Sequence, residues 1–177
     1  MQRRPLRLET GQTGQVFLTS PQTKGRLLLA TPPLADPNFD RTVVYVLEHH
    51  EDGAIGLILN RPTEEALTEP LDRWIDLQST PSSIFIGGPV DTNAMIAMAT
   101  TKELLNDSTD LLTPISGLIA STDLSADPAI VAAHVDAVRI FRGYSGWGAG
   151  QLDLELEEGA WLLLDAEIGD VFSDRPD

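Results

Sequence analysis

Residues 42–59 read Thr-Val-Val-Tyr-Val-Leu-Glu-His-His-Glu-Asp-Gly-Ala-Ile-Gly-Leu-Ile-Leu, and this stretch decides the fold. The first six residues are rich in β-branched and aromatic side chains, which favour a β-strand. A short polar turn that ends at Gly53 leads into a second apolar run over 54–59. Two apolar runs joined by a short turn that ends in glycine predict an antiparallel hairpin.

Short apolar runs on both sides of this hairpin predict more strands, and amphipathic patterns predict helices between them. The predicted strands cover 26–30, 83–86, 94–100, 118–120, 138–141 and 160–164, and the predicted helices cover 63–75, 128–137 and 151–158. In the first helix, one apolar face is made by Leu67, Leu71, Trp74 and Ile75. Hairpins with interspersed helices indicate the α+β class. We expect a single compact domain with a mixed, mostly antiparallel β-sheet flanked by helices, in a three-layer α/β/α-like arrangement.

The length of 177 residues suits one domain. Residues 1–14 are polar and basic and include two glycines, so they predict a flexible N-terminal extension ahead of a single domain over 15–177. The sequence has no apolar run long enough to cross a membrane, and no apolar segment follows Arg3 and Arg4 as in a signal peptide. We therefore expect a cytoplasmic protein with no membrane contact.

Acidic residues dominate the later part of the chain. The formal net charge is -15, with seven basic and six acidic residues over 1–61 but five basic and 21 acidic residues over 62–177. Nucleic-acid binding needs basic side chains that neutralise phosphates, so this charge argues against a DNA or RNA partner. We interpret the acidic surface as one that keeps the protein dispersed in water, or as a docking face for a basic partner.

The chain contains no cysteine, which excludes disulfides, thiolate nucleophiles and cysteine-ligated zinc. His49 and His50 are adjacent in the hairpin, and neighbours in an extended chain point to opposite sides, so they are poor partners in one metal site. We expect no metal and no cofactor, and interpret His49 as a hydrogen-bonded histidine at a strand end. His134, on an apolar helical face, is expected to be packed.

A glycine-dense segment over 143–150 resembles two functional motifs but matches neither. A nucleophile elbow needs glycine two residues after the serine, and Trp147 stands at that position after Ser145. The dinucleotide fingerprint needs the spacing G-x-G-x-x-G, whereas the later glycines here are spaced G-x-G-x-G. We expect a tight turn with glycines at positive φ and Trp147 packed beside it, leading into a helix. Backbone N–H groups at that helix start could also hold an anion.

Four motifs, in this order, carry a resemblance to a known family. They are Gly25-Arg26-Leu27-Leu28-Leu29-Ala30-Thr31-Pro32, then Glu48-His49 through Asn60-Arg61-Pro62, then Phe85-Ile86-Gly87-Gly88-Pro89-Val90, and last Gly143-Tyr144-Ser145-Gly146-Trp147 through Gly150-Gln151-Leu152. The ordered set resembles the YqgE/AlgH family of bacterial proteins. The resemblance implies a compact domain with a mixed sheet and no agreed biochemical activity, although some members carry the label of transcriptional regulator. Members often have a cysteine just before the Glu-His pair, where this chain has Leu47.

Polar and glycine-rich positions in these motifs are the candidate ligand-binding residues, and they form no recognisable catalytic set. The candidates are His49, Asn60, Arg61, Gly87, Gly88, Gly146, Trp147 and Gln151. Arg61 is expected either to hold a carboxylate or phosphate of a ligand or to pair with Glu64 or Glu65 next to it.

Three functions stay open. The favoured one is a non-enzymatic binding or regulatory domain that acts through a protein partner or a small ligand, because the loop motifs lack a competent catalytic set. The second is a DNA-binding transcriptional regulator, which the acidic charge disfavours. The third is a hydrolase or transferase, which needs Arg61, His49 and an acid in one pocket. The sequence leaves enzymatic activity open and favours binding over it.

Overall fold

The structure, a computed structural model, describes residues 7–10, 16–19, 22–34 and 36–177. The strands of this described part are β1 (Arg7–Thr10), β2 (Val16–Thr19), β3 (Arg26–Ala30), β4 (Val43–His50), β5 (Gly53–Ile58), β6 (Phe85–Ile86), β7 (Val90–Thr101), β8 (Leu112–Ser116), β9 (Ile119–Thr122), β10 (Val135–Gly148) and β11 (Trp161–Asp165). Its helices are α1 (Pro128–Val131), α2 (Gln151–Glu157), α3 (Ile168–Val171) and a 3-10 helix at Leu71–Leu77.

Strands β3 to β11 form one nine-stranded sheet that curls on itself. The strand order is β11-β3-β4-β5-β10-β7-β9-β8, and β6 also pairs with β10. The β6–β10 pair is parallel, and every other strand pair in the described part is antiparallel. The predicted hairpin is confirmed as β4 and β5, and a mixed, mostly antiparallel sheet is confirmed with it.

The two halves of the curled sheet share β10. Residues 135–144 of this strand pair with β7, and residues 145–148 pair with β5. The register shifts between Arg142 and Tyr144, where Gly143 has a φ of +69°. Between these two pairs β10 advances by two residues and β7 by five, from Met95 to Val90, so the regular alternation of side chains is interrupted. Phe141 and Tyr144 therefore pack into the same cluster although they are three positions apart in the strand.

Three apolar clusters follow from this curvature. The inner cluster joins both halves of the sheet through Tyr45, Leu57, Phe85, Met98 and Phe141, among others. The second lies on the outer side of β7 and β10, where the 3-10 helix and α1 contribute Trp74 and Val131. The third lies on the outer side of β4 and β5, where α2 contributes Leu152.

Short helices, rather than helical layers, cover the sheet. The prediction of a three-layer arrangement flanked by helices is therefore wrong, although the single domain holds. The predicted helix over 63–75 is reduced to the 3-10 helix, because Thr63 and Glu65 use their backbone groups to bond Ile84 instead. Trp74 and Leu67 are buried as predicted, but Ile75 is exposed. No helix of the described part is long and apolar enough to cross a membrane.

The predicted helix over 128–137 ends early. Asp127 caps it as its sequence suggests, with Oδ1 accepting the backbone N–H of Ala129 at 3.0 Å. The helix stops at Val131 because β10 already begins at Val135, which pairs with Thr101. His134 consequently lies in an exposed turn, so the expectation that it is packed is wrong.

Some of the remaining predictions for the end of the chain are confirmed, and others are wrong. Helix α2 and strand β11 are confirmed close to their expected bounds. The glycine-dense segment predicted as a turn instead continues β10 as far as Gly148, and only Gly150, at a φ of +72°, turns the chain into α2. Within the predicted N-terminal extension, residues 1–6 and 11–14 lie outside the described part, while β1 pairs with β2. The flexibility of the N-terminal extension and the domain boundary at residue 15 stay predictions.

Arg139 of β10 is a buried cation, with only 1% of its surface exposed. Its Nε donates to Ser79 Oγ at 3.0 Å, and its terminal nitrogens donate to the carbonyl oxygens of Thr80 (2.7 Å), Val171 (3.2 Å) and Ser173 (2.9 Å). Burial lowers the pKa of Arg139 to about 10, so the guanidinium stays charged at neutral pH. The side chain thus ties both the segment before β6 and the C-terminal segment to the sheet.

Arg139→Met would keep an apolar stem but remove these donors. The carbonyl oxygens of Thr80, Val171 and Ser173 would lose their donor, so we expect the free energy of unfolding to fall by about 3 kcal/mol. Urea denaturation followed by tryptophan fluorescence measures the change. The control Arg175→Met alters an exposed arginine of the same segment and should cost less than about 0.5 kcal/mol. Equal losses in both variants would contradict the role given to Arg139.

Tyr45 of β4 is fully buried, and its hydroxyl has no hydrogen-bond partner among the described residues. Burial raises the pKa of this phenol above its usual range, so the hydroxyl stays protonated. Tyr45→Phe would remove an unpaired polar group and keep the ring. We expect the free energy of unfolding to stay constant or to rise by about 1 kcal/mol in thermal denaturation. A fall of that size would show that the hydroxyl is paired after all.

Candidate functional site

His49 lies near the end of β4, on the face of the sheet that α2 covers. The β4–β5 register shifts between Val46 and Glu48, after which His49 stands opposite Ala54. Ala54 belongs to the cluster that packs against α2. The shift therefore turns His49 toward the helix, and only 10% of its side chain is exposed.

Both ring nitrogens of His49 face a polar group. Thr23 Oγ1 lies 2.6 Å from Nδ1, and Asp153 Oδ1 lies 3.5 Å from Nε2. A carboxylate only accepts, so a ring with its single hydrogen on Nε2 would present that hydrogen to Asp153, and Nδ1 would then accept the hydroxyl hydrogen of Thr23. The 3.5 Å separation between Asp153 Oδ1 and Nε2 is longer than an ordinary hydrogen bond, and Asp153 Oδ1 has no hydrogen-bond partner among the described residues.

An open cleft of about 430 Å³ lies beside this histidine. It is lined by Gln22, Thr23, Lys24, His49, His50, Glu51 and Asp153. Two of the basic groups on its wall face Glu48: Lys24 Nζ lies 3.5 Å from Oε1, and His50 Nε2 lies 3.3 Å from Oε2. Within the described residues, no three His, Asp or Glu side chains converge as a metal site.

Asn60 and Arg61 lie at the other end of β4 and brace a loop. Asn60 Oδ1 accepts the N–H of Val43, and its Nδ2 donates to Arg41 O, both at 2.9 Å. Arg61 donates to the carbonyl oxygens of Asn38 (2.6 Å) and Asp40 (3.3 Å). The expected pairing of Arg61 with Glu64 or Glu65 is wrong, because its partners are backbone carbonyls, and ligand binding by Arg61 stays a prediction. Glu65 pairs with Arg142 instead.

Gly87 and Gly88 are buried where the chain leaves β6 and passes close to β10. Gly87 O accepts the N–H of Ile58 at 2.8 Å and the hydroxyl of Ser145 at 3.1 Å. A Cβ at Gly88 would overlap the backbone of Tyr144. Close packing of two backbones therefore requires these glycines, and the hydroxyl of the fully buried Ser145 donates to Gly87 O.

Trp147, Gln151 and Glu155 join β10 to α2. Trp147 is buried against Phe39 and Trp161, and its Nε1 donates to Glu155 Oε2 at 2.8 Å. Trp161 Nε1 donates to the same oxygen at 2.9 Å. Gln151 Oε1 accepts the N–H of Gly148 at 3.0 Å and its Nε2 donates to Glu155 at 3.1 Å. These contacts hold α2, and with it Asp153, in place beside His49.

The structure thus separates the candidate residues. His49 lines the cleft, and Trp147 and Gln151 support the helix that forms its wall. Asn60, Arg61, Gly87 and Gly88 occupy other parts of the fold, and Gly146 is paired with Ile55 inside the sheet. Sequence reasoning missed Thr23 and Asp153, since an isolated threonine and one more acidic residue in an acidic segment give no distinguishing signal. Ligand binding by any of these residues stays a prediction.

Sequence comparison supports the resemblance drawn from the four motifs. The sequence profile of the AlgH-like family matches residues 27–177. A UPF0301 protein of Streptomyces avermitilis is 45% identical over 155 residues, which cover 86% of this chain and 80% of that one. A UPF0301 protein of Mycolicibacterium smegmatis is 43% identical over 148 residues, or 83% of this chain and 74% of that one.

Solved structures agree with this fold. Protein DIP2367 from Corynebacterium diphtheriae superposes with a TM-score of 0.81 at 26% identity, covering 89% of this chain and 83% of that chain. The solution structure of the AlgH protein from Pseudomonas aeruginosa gives a TM-score of 0.64 at 33% identity, covering 89% of this chain and 85% of that chain.

Two glycines of the motifs allow a matched test of packing against flexibility. Gly88→Ala would drive a Cβ into the backbone of Tyr144, whereas at Gly146 the nearest atoms to a new Cβ would be 3.6 and 3.7 Å away. We expect Gly88→Ala to lower the free energy of unfolding by about 3 kcal/mol or more, and Gly146→Ala by less than about 1 kcal/mol. Urea denaturation compares them; similar costs for the two variants would contradict the packing described.

Proposed function

Because the chain belongs to the AlgH-like family, whose relatives named above state no activity, we propose a function from its own geometry. It is a non-enzymatic binding domain with regulatory use, and its binding site is the cleft beside His49. One observation carries the proposal: on the wall of an open polar cleft, His49 is hydrogen-bonded to Thr23 and its other ring nitrogen faces Asp153. Such a group is fixed in position before a ligand arrives, which reduces the entropy lost on binding.

The charges around the cleft favour a cationic ligand. Lys24 faces Glu48, which offsets its charge. Glu51 and Asp153 both line the cleft, and the carboxylate of Glu51 forms no ion pair among the described residues. The net charge of -15 adds an attractive field for cations. The ligand class is therefore a primary ammonium group, on a small molecule or at the end of a partner's lysine side chain.

The two other functions receive no support from the contacts. Arg61 and His49 lie at opposite ends of β4, about 20 Å apart at the usual rise of a strand, so a hydrolase or transferase site that needs both is absent from the described residues. The hydroxyl of Thr23 is also enclosed, with 2% of the residue exposed. The acidic charge still disfavours a DNA-binding regulator. A cytoplasmic location stays a prediction.

A titration with n-butylammonium, a mimic of the lysine side chain, tests this proposal. We expect amide shifts in nitrogen–proton NMR spectra to concentrate at Thr23, His49 and Asp153, while inorganic phosphate and succinate give none there. Asp153→Asn should weaken n-butylammonium binding about tenfold, because one charge-assisted contact is lost.

The control Asp107→Asn removes the same charge from an exposed loop away from the cleft. It should leave the affinity within about twofold of the unaltered protein. Shifts spread evenly over the acidic surface, or equal weakening in both variants, would contradict a specific site at His49.

A further inference from the structure

Strand β11 has the sequence of an interior strand but lies at the edge of the sheet. It pairs with β3 on one side, and no described strand pairs with its other side. Residues 160–164 read Ala-Trp-Leu-Leu-Leu, a continuous apolar run without lysine or proline. Runs of this kind are typical of strands covered on both faces, whereas natural edge strands carry charges, prolines or bulges that prevent further pairing. Leu162, Leu163 and Leu164 are only half-buried.

The hydrogen-bond pattern shows which backbone groups β11 leaves open. Thr31 N donates to Ala160 O at 3.0 Å, so residue 160 directs its backbone groups toward β3. Because these directions alternate along an antiparallel strand, Leu162 and Leu164 also face β3. Trp161, Leu163 and Asp165 therefore direct their N–H and C=O groups away from the sheet, as a short, evenly spaced row.

The opposite edge of the sheet is closed to pairing. Strand β8 forms that edge and contains Pro114, which has no N–H. Its register with β9 also shifts between Pro114 and Ser116. A head-to-tail stack, in which β11 of one copy joins β8 of the next, is thus disfavoured. Two copies of the chain can then pair through β11 only as identical strands related by a two-fold axis.

We propose that β11 pairs with β11 of a second copy of this chain, antiparallel and centred on Leu163. In this register Leu163 faces Leu163 of the second copy, and Trp161 faces Asp165 at both ends. All the outward N–H and C=O groups of the three residues then find partners at once. The row is self-complementary, which is what a two-fold contact requires. The half-buried leucines also gain cover on both faces of the joined sheet.

Charge sets the conditions for this pairing. Asp165 is the one charged residue of β11, and Arg26 Nε lies 3.1 Å from its Oδ1, so the contact itself is nearly neutral. Each copy nevertheless carries a net charge of -15, and the copies repel one another at a distance. Salt screens that repulsion, so the dimer should become tighter as ionic strength rises.

Engineered cysteines give a direct test, because the chain has none of its own. In a hydrogen-bonded antiparallel pair, facing Cα atoms lie about 5.5 Å apart, within the range of a disulfide. Leu163→Cys should form a disulfide-linked dimer under mild oxidation at least about tenfold faster than Thr113→Cys, an exposed control on β8. Sedimentation velocity of the unaltered full chain, at low and high micromolar concentration and at two salt concentrations, should show a salt-favoured dimer.

A chain that sediments as a monomer throughout, or equal oxidation rates for two cysteine variants that are both folded by circular dichroism, would overturn the proposal. Hydrogen exchange adds a further check, since protected amides at Trp161, Leu163 and Asp165 in a monomeric protein would mean that another segment of the same chain covers the edge. Protection that rises with protein concentration supports the dimer.

Discussion

The close passage of two backbones, where residues 87–88 cross β10, is the constraint on which the rest of the fold depends. It allows β6 to join the same edge of β10 that β5 uses further along. Beside it, the bulge at Gly143 changes which side chains of β10 face inward. One strand can therefore serve three clusters, with Ile140, Phe141 and Trp147 each in a different one.

A second register shift, between Val46 and Glu48 in β4, changes which side chains of that strand face the candidate site. It directs His49 toward α2, while Glu155 fixes that helix by accepting hydrogen bonds from Trp147 and Trp161. The cleft is thus made by a strand end, a helix and the segment before β3, all held by the cluster beneath. Irregularities of the sheet thus place the polar side chains of the candidate site, and the regularly paired strands hold them in position.

Regular features of the fold could be predicted from the sequence, and its irregular features could not. The hairpin over 42–59 and the apolar run of β11 are local patterns, and both are found where expected. The segments over 63–75 and 128–137 looked helical, but long-range bonds to Ile84 and the early start of β10 overrode their propensity. His49 was recognisable from its motif, whereas Thr23 and Asp153 become its partners only through tertiary contacts.

The protonation pattern of the His49 ring tests the central claim most directly, because it reports whether Thr23 and Asp153 hold the side chain. Long-range nitrogen–proton NMR of the imidazole at a pH where the ring is neutral distinguishes the two tautomers. We expect the hydrogen on Nε2, the nitrogen nearest Asp153, with Nδ1 accepting the Thr23 hydroxyl. A hydrogen on Nδ1, or a ring that exchanges freely between both forms, would contradict a preformed site at His49.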